Sequence, residues 1–164
     1  MSNTEVRILI NAPAYLTDFV SLNESWINEY FELEPIDIQL AKTPSKVIDD
    51  GGYIFTLLKG NEVIGVCALF KDISNSFQLA RMAVKKSHQG KGYSKLLMEA
   101  TLAKLHDVNA SKVTLLTNSK LLPAISLYKK YGFIITSTGN HAIYSRVDLT
   151  MEKRLHNSLK MSAI

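Results

Sequence analysis

The chain has 164 residues, of which 46% are hydrophobic and 21% charged, with a formal net charge of +4. This composition is ordinary for a soluble globular protein, and we expect residues 1–164 to form a single domain. The basic residues are dispersed, which argues against a nucleic-acid partner. No apolar run approaches the ~20 residues that span a bilayer, so no membrane is expected. A single cysteine and an N-terminus without a signal peptide predict a cytoplasmic protein.

The N-terminal part predicts one strand followed by two helices. The apolar run at 6–10 is typical of a strand, and 18–31 carries apolar residues at helical spacing. Pro35 ends this helix. A weaker helix is expected over 37–48, which Pro44 must bend or interrupt.

Three strands joined by short turns are predicted next, at 53–58, 63–70 and 77–84. Short turns force neighbouring strands to be antiparallel. A helix at 92–107 and a strand at 113–116 follow. This order predicts a parallel crossover from the third strand of the group to the strand at 113–116.

The C-terminal part predicts a short helix at 123–131 and two strands at 134–138 and 143–151, followed by a loose basic tail. The full order is β-α-α-β-β-β-α-β-α-β-β. We therefore expect a mixed α/β (α+β) fold, in which a central mixed, mostly antiparallel sheet of about seven strands is flanked by about four helices.

A glycine loop between the strand at 77–84 and the next helix is the strongest local signal. Gly90 and Gly92 allow positive φ and a close approach of a ligand to the backbone. The first amides of the following helix lack internal partners and favour anions, and Lys91 and Lys95 add positive charge. The spacing fits neither the P-loop nor the dinucleotide fingerprint. Taken alone, the loop is equally compatible with a simple helix cap.

Two motifs together resemble the GNAT superfamily of N-acetyltransferases. The loop from Gln89 to Ser94 resembles the family's acetyl-CoA loop, Gln/Arg-x-x-Gly-x-Gly/Ala, with Ser94 at the last small position. The stretch 124–133 resembles the family's Ala-x-x-Leu-Tyr-x-x-x-Gly-Phe. Both occur in the family's order, and the predicted elements agree with a GNAT-like fold.

The resemblance implies acetyl-CoA as cosubstrate, no metal, and direct attack of an amine on the thioester in a ternary complex. Tyr128 would protonate the leaving thiolate, since a tyrosine with a pKa of about 10 is protonated at neutral pH. The alternative is a tyrosine that only packs. The four histidines show no metal-ligand spacing. The implied cofactor-binding residues are Met82, Ala83, Val84, Gln89, Gly90, Lys91, Gly92, Tyr93, Ser94, Lys95 and Asn118.

The base and the acceptor are less well defined by the sequence. The strand at 77–84 has no carboxylate, where many members of the family carry a glutamate, although Gln78 and Arg81 could orient a substrate. Glu34 and Asp37 are candidate bases, or else surface caps. Candidates for the acceptor wall are Trp26, Tyr30, Phe31, Asn140, Tyr144 and Arg146.

The implied acceptor is the primary amine of a small molecule or a peptide, and a homodimer is possible on the resemblance alone. A second hypothesis is a non-catalytic sensor that binds acyl-CoA, which Ser94 and the missing strand carboxylate favour. A third is a protein that binds the phosphates of another nucleotide. Cys67, inside an apolar strand, is expected to be a buried core thiol.

Overall fold

The computed structural model describes residues 5–155. Seven strands form one sheet in the order β1-β2-β3-β4-β5-β7-β6. The strands are β1 Val6–Ile10, β2 Tyr53–Lys59, β3 Glu62–Lys71, β4 Ser76–Val84, β5 Lys112–Thr117, β6 Ile134–Thr138 and β7 Leu149–Arg154. The helices are α1 Leu16–Tyr30, α2 Pro35–Lys42, α3 Lys46–Asp49, α4 Tyr93–Asp107 and α5 Leu122–Lys130.

The sheet is mixed and mostly antiparallel, which confirms the predicted fold class. β2, β3 and β4 are antiparallel neighbours, and β4 and β5 run parallel through the α4 crossover. Helices cover both faces. Phe19 of α1 and Val47 of α3 pack on one face, whereas Leu97 and Leu105 of α4 pack on the other.

The second predicted helix is in fact two helices. Pro44 lies between α2 and α3, as its ring requires. Pro35 does not end the preceding helix, which already ends at Tyr30; it is the first residue of α2, where a missing N–H costs nothing. The sequence therefore placed the start of this helix two residues too late and counted one helix too few.

The predicted last strand, 143–151, is wrong in its first half. β7 begins only at Leu149 and continues to Arg154, so that part of the predicted loose tail is a strand. The apolar and aromatic residues Ile143, Tyr144 and Val147 were included in this strand, but they belong to the 139–148 loop, in which Val147 is buried. The rest of the predicted tail, 156–164, lies outside the described residues.

The parallel strands β4 and β5 separate part-way along their length. They pair only from Ser76 to Leu79 on β4 and from Lys112 to Leu115 on β5. Past this point, residues 80–84 pair with β3 alone, so the backbone edge that faces β5 carries no strand partner within the described chain.

A β-bulge bends β4 just beyond this separation. Val66 pairs with Ala83 and Ala68 pairs with Ala80, so the single residue between them on β3 faces two residues on β4. Arg81 lies in the bulge with φ +60. The bulge re-aims its side chain toward the gap between β4 and β5.

Candidate active site

A cavity of about 980 Å³ occupies the gap between the diverging strands. Its wall comes from α1, the second half of β4, the start of α4, the end of β5, α5 and the 139–148 loop. The carboxyl ends of parallel strands commonly form binding crevices in sheets of this kind. The cavity has two ends of different chemistry, one at the glycine loop and one at the 139–148 loop.

The glycine loop delivers the chain into α4 through two left-handed residues. Gly90 has φ +75 and Gly92, which directly precedes α4, has φ +86. A Cβ on either glycine would meet no atom within 4 Å. The backbone angle therefore requires glycine here, and the first amides of α4 face open space beside the cavity. No side chain caps them, which leaves an anion site.

The loop is anchored at one end and positively charged at the other. Gln89 donates from Nε2 to the carbonyl oxygen of Val84 at 3.0 Å, which fixes the loop to the end of β4. The ammonium group of Lys95 lies beside that of Lys130, and this contact lowers the pKa of Lys130. A bound anion would relieve the repulsion between the two lysines.

The cavity wall brings together most of the predicted cofactor-binding residues. Ala83 does not line it, because its side chain is buried against α1, and exposed Lys91 does not line it either. The predicted residues in the wall are Met82, Val84, Gln89, Gly90, Gly92, Tyr93, Ser94, Lys95, Asn118 and Tyr128.

Asn118 lies in the wall but already has two structural partners. Its Nδ2 donates to the carbonyl oxygen of Arg146 at 2.9 Å, and its Oδ1 accepts from the N–H of Lys120 at 2.9 Å. The side chain thus ties the end of β5 to the 139–148 loop. Contact between Asn118 and a cofactor stays a prediction.

Tyr128 lines the cavity from α5, with its ring 6.0 Å from that of Phe133. Among residues 5–155, nothing is hydrogen-bonded to its hydroxyl. Burial, and secondarily the neighbouring Cys67, raise the pKa of Tyr128 to about 12. The phenol is therefore neutral at every pH at which a protein of this kind is normally assayed, and it can donate a proton or a hydrogen bond.

Cys67 is fully buried, which confirms the expectation of a core thiol. Burial raises the pKa of this thiol, so the nucleophilic thiolate is disfavoured. A covalent role for Cys67 is not supported.

The other end of the cavity is walled by aromatic rings. The centre of the Trp26 ring lies 5.1 Å from that of Tyr30 and 6.1 Å from that of Phe31, with the rings tilted, and all three residues line the cavity. Of the polar candidates on the 139–148 loop, Tyr144 and Arg146 line the wall and Asn140 does not.

Four charged side chains, Glu34, Asp37, Arg81 and Arg146, form what we call the Asp37 network. Arg146 grips Asp37 in a two-pronged contact of 2.6 and 2.7 Å, and Arg81 reaches Asp37 at 2.5 Å. The Asp37 side chain is 1% exposed. This contact joins α2, the β4 bulge and the 139–148 loop, which are far apart in sequence.

Burial alone would disfavour the charge on Asp37. Hydrogen bonds from Arg146 and from the Glu34 N–H, with the positive charge of Arg81, outweigh that effect and lower the pKa of Asp37 to about 2. Glu34 accepts from Arg146 at 2.9 Å and from Ser145. Neither carboxylate lines the cavity. Both are structural partners of arginines rather than accessible bases.

Three further residues in the wall were missed from the sequence. Asn23 of α1 is buried there and Lys120 stands at its rim, while Glu29 is the one acidic residue in the wall within residues 5–155. Asn23 carried a detectable signal, because it lies one helical turn from both Phe19 and Ile27 on the buried face. Lys120 and Glu29 carried no sequence signal that would place them in the wall.

A family model decides the identity of this site. The model of the GNAT acetyltransferase family matches residues 18–133, which include the glycine loop and Tyr128. The chain belongs to the GNAT acetyltransferase family. It is an acyltransferase. An uncharacterised N-acetyltransferase of Bacillus subtilis, YvbK, is 33% identical over 106 residues, which cover 62% of this chain and 68% of that protein.

Solved structures agree on the GNAT fold. An acetyltransferase of the family from Staphylococcus aureus Mu50 superposes with a TM-score of 0.82 at 16% identity, over 93% of this chain and 100% of that one. The PaiA N-acetyltransferase of Thermoplasma acidophilum, solved in complex with coenzyme A, gives 0.72 at 19% identity, over 92% and 99%. At these identities the likeness concerns the fold alone.

Within residues 5–155, no helix is both long and apolar enough to cross a membrane. The same residues hold no group of three or more His, Cys, Asp or Glu side chains suited to a metal ion.

The Asp37 network predicts a pH-dependent contribution to stability. Since the folded pKa of Asp37 lies near 2 and its ordinary value is 3.8, the charged carboxyl stabilises the fold above about pH 4, and this is lost as the pH falls toward 2. Asp37→Asn should lower the free energy of unfolding at pH 7 by about 3–5 kcal/mol, because buried Arg81 loses its acidic partner and Arg146 keeps only Glu34. Urea unfolding from pH 2 to 7 measures both effects.

Asp50→Asn is the matched control. Asp50 pairs with Lys46 at 2.9 Å on the surface, with both side chains more than half exposed. An exposed pair of this kind contributes about 0–1 kcal/mol. Equal losses in the two variants would contradict a structural role for the Asp37 network.

Proposed function

We propose that this enzyme uses acetyl-CoA to acetylate the primary amine of a small molecule or a peptide. One observation carries the proposal. The anion site at the start of α4 and the hydroxyl-bearing Tyr128 line a single cavity, which also opens onto a separate aromatic end. A phosphate-bearing donor and an acceptor can therefore meet between the two parallel strands.

The cofactor would bind along β4 and the glycine loop. The amides that open α4, together with Lys95 and Lys130, would hold the phosphates. The unpaired backbone edge of residues 80–84 would hydrogen-bond the amide groups of the pantetheine arm, as an added strand does. The coenzyme A complex of the Thermoplasma relative supports this choice of cofactor.

Acetyl transfer would take place in one ternary complex. The amine nitrogen attacks the thioester carbon, a C–N bond forms, and the C–S bond breaks. A backbone N–H of residues 82–84 would stabilise the oxyanion. Tyr128 would donate its proton to the departing thiolate, and the ammonium nitrogen of the tetrahedral intermediate would lose a proton to solvent, from which Tyr128 recovers its own.

The amine would lose its own proton to solvent before it attacks. The wall offers Glu29 as a carboxylate, but Lys86 already lies 3.4 Å from it. Asp37 and Glu34 are held by arginines. We therefore assign no protein base. We also propose a cytoplasmic setting, in which the single thiol stays reduced; the homodimer stays a prediction for sedimentation analysis.

Removal of the Tyr128 hydroxyl should slow the reaction and leave cofactor binding intact. Tyr128→Phe is expected to lower kcat about 10²-fold, within the range of lost general acids, and to change the KM for acetyl-CoA by less than about threefold. Steady-state kinetics of thiol release measure both. Tyr131→Phe is the control, since its hydroxyl bonds Glu99 on the surface. An unchanged kcat in Tyr128→Phe would remove the acid role.

The pH dependence of kcat/KM should reflect the pKa of the acceptor amine and not that of an enzyme side chain. Since burial raises the pKa of Tyr128 to about 12, the acid stays protonated and kcat/KM should show no falling limb below about pH 10. The rising limb should follow the pKa of the acceptor amine. Profiles for two acceptors with different amine pKa values check this. A rising limb that falls at the same pH for both acceptors would instead identify a base on the protein.

The glycine loop can be tested with two matched alanines. Gly92 and Gly139 both have positive φ and open space around them, but only Gly92 lines the cavity. Each substitution should lower the free energy of unfolding by about 1–2 kcal/mol through backbone strain. Only Gly92→Ala should weaken acetyl-CoA binding in calorimetry, by about tenfold or more, because its Cβ stands before the α4 amides. Equal affinities would place the phosphates elsewhere.

Ligand-induced thermal shifts separate the proposal from its alternatives. Stabilisation by acetyl-CoA together with thiol release supports a transferase. Stabilisation by coenzyme A without turnover on any amine would support a sensor of acyl-CoA, and stronger stabilisation by ATP would support a different nucleotide.

A further inference from the structure

The acceptor end of the cavity is basic, and its carboxylates are already occupied. Both carboxylate oxygens of Asp37 accept from arginines, and Glu34 accepts from Arg146 and Ser145. Glu29, the one acidic residue in the wall within residues 5–155, lies 3.4 Å from Lys86, so a cationic acceptor such as a polyamine would have to compete with that lysine for it. The charge of the wall therefore disfavours a second ammonium group on the substrate.

The two arginines retain hydrogen-bonding capacity beyond the bonds they make within the protein. Arg81 donates to Asp37 and to the hydroxyl of Tyr144, and Arg146 makes three bonds to Glu34 and Asp37. A guanidinium carries about five N–H donors, so each arginine has donors left. Both side chains line the cavity. Such donors suit a planar carboxylate.

The Tyr144 ring holds both guanidinium groups in place. The Cζ of Arg146 lies 4.8 Å from the centre of that ring, and the Cζ of Arg81 lies 5.7 Å from it. With Asp37 fixed behind them, the arginines are pre-organised, which lowers the entropic cost of binding an anion.

Lys120 supplies the excess charge. The formal charges of the Asp37 network cancel, as do those of the Glu29–Lys86 pair, and Lys120 at the rim has no acidic partner within the described chain. Its ammonium group lies 4.2 Å from the centre of the Phe31 ring and 3.3 Å from the carbonyl oxygen of Tyr30. The acceptor end therefore has a net positive charge beside apolar rings.

From these contacts we infer that the acceptor is a small primary amine that carries a carboxylate, bound by Arg81, Arg146 and Lys120 while its amine points toward the thioester. The inference rests on the proposed acetyl transfer and specifies its substrate class. The aromatic rings of Trp26 and Tyr30 contact the carbon skeleton.

The test compares amines that differ only in their acidic group. Amino acids with the carboxylate on the α, β or γ carbon are assayed beside their primary amides, with spermidine as a cationic acceptor and acetyl-CoA saturating. For at least one pair, the acid should exceed its amide in kcat/KM by about tenfold or more. Equal or faster acetylation of the amides or of spermidine would overturn the inference and leave the transferase proposal standing. The absence of release from every amine would overturn both.

A pair of lysine variants tests the assigned contacts. Lys120→Met keeps the aliphatic stem over Phe31 and removes the charge, and should lower the acid-to-amide ratio of kcat/KM by about fivefold, mainly through the KM of the acid. Lys129→Met removes an exposed charge from α5 outside the cavity and should leave the ratio unchanged. Arg81→Lys should lower the ratio as well, with folding checked by circular dichroism. A ratio unaffected by both Lys120→Met and Arg81→Lys would also overturn the inference.

Discussion

The candidate active site depends on the separation of the two parallel strands β4 and β5. β4 and β5 pair over four positions, Ser76–Leu79 with Lys112–Leu115, and then diverge. The divergence frees one backbone edge of β4, opens the cavity, and directs the glycine loop and α5 to opposite walls of it. Cofactor binding and proton donation, the two parts of the proposed reaction, each depend on one wall of the cavity. The free edge and the α4 amides suit a long polar cofactor, while Tyr128 approaches from the other wall.

The Asp37 network sets the shape and charge of the second end of the cavity. A buried carboxylate must be paired, since an unpaired charge in the interior is costly. Asp37 is paired by Arg81 from the β4 bulge and by Arg146 from the 139–148 loop. The loop is thereby drawn over the aromatic wall. The same ion pairs occupy both carboxylates of the network, and for this reason the proposed acceptor carries a carboxylate and not a second ammonium group.

Some of the site was readable from the sequence because its signals are local. The glycines at positions 90 and 92 predict positive φ, and Gly90 has φ +75 and Gly92 φ +86 in the structure. The short turns of the β2-β3-β4 group required antiparallel pairing. The 139–148 loop was misread as a strand from residue 143 onward, whereas Tyr144 accepts from Arg81 of β4 and Val147 is buried in the core. The sequence pattern alone does not distinguish a residue buried within a strand from a loop residue buried by contacts with other elements.

The sequence by itself determined the family, most of the order of the elements and the two positive-φ glycines of the loop, since each depends on residues close together along the chain. Only the tertiary structure decided what Glu34 and Asp37 do. As residues of a helix start they were candidate bases, but Arg146, 109 positions beyond Asp37, neutralises both. It also decided that Lys120 faces the cavity without an acidic partner among residues 5–155. Charge pairing depends on distances that the chain fixes only when it folds.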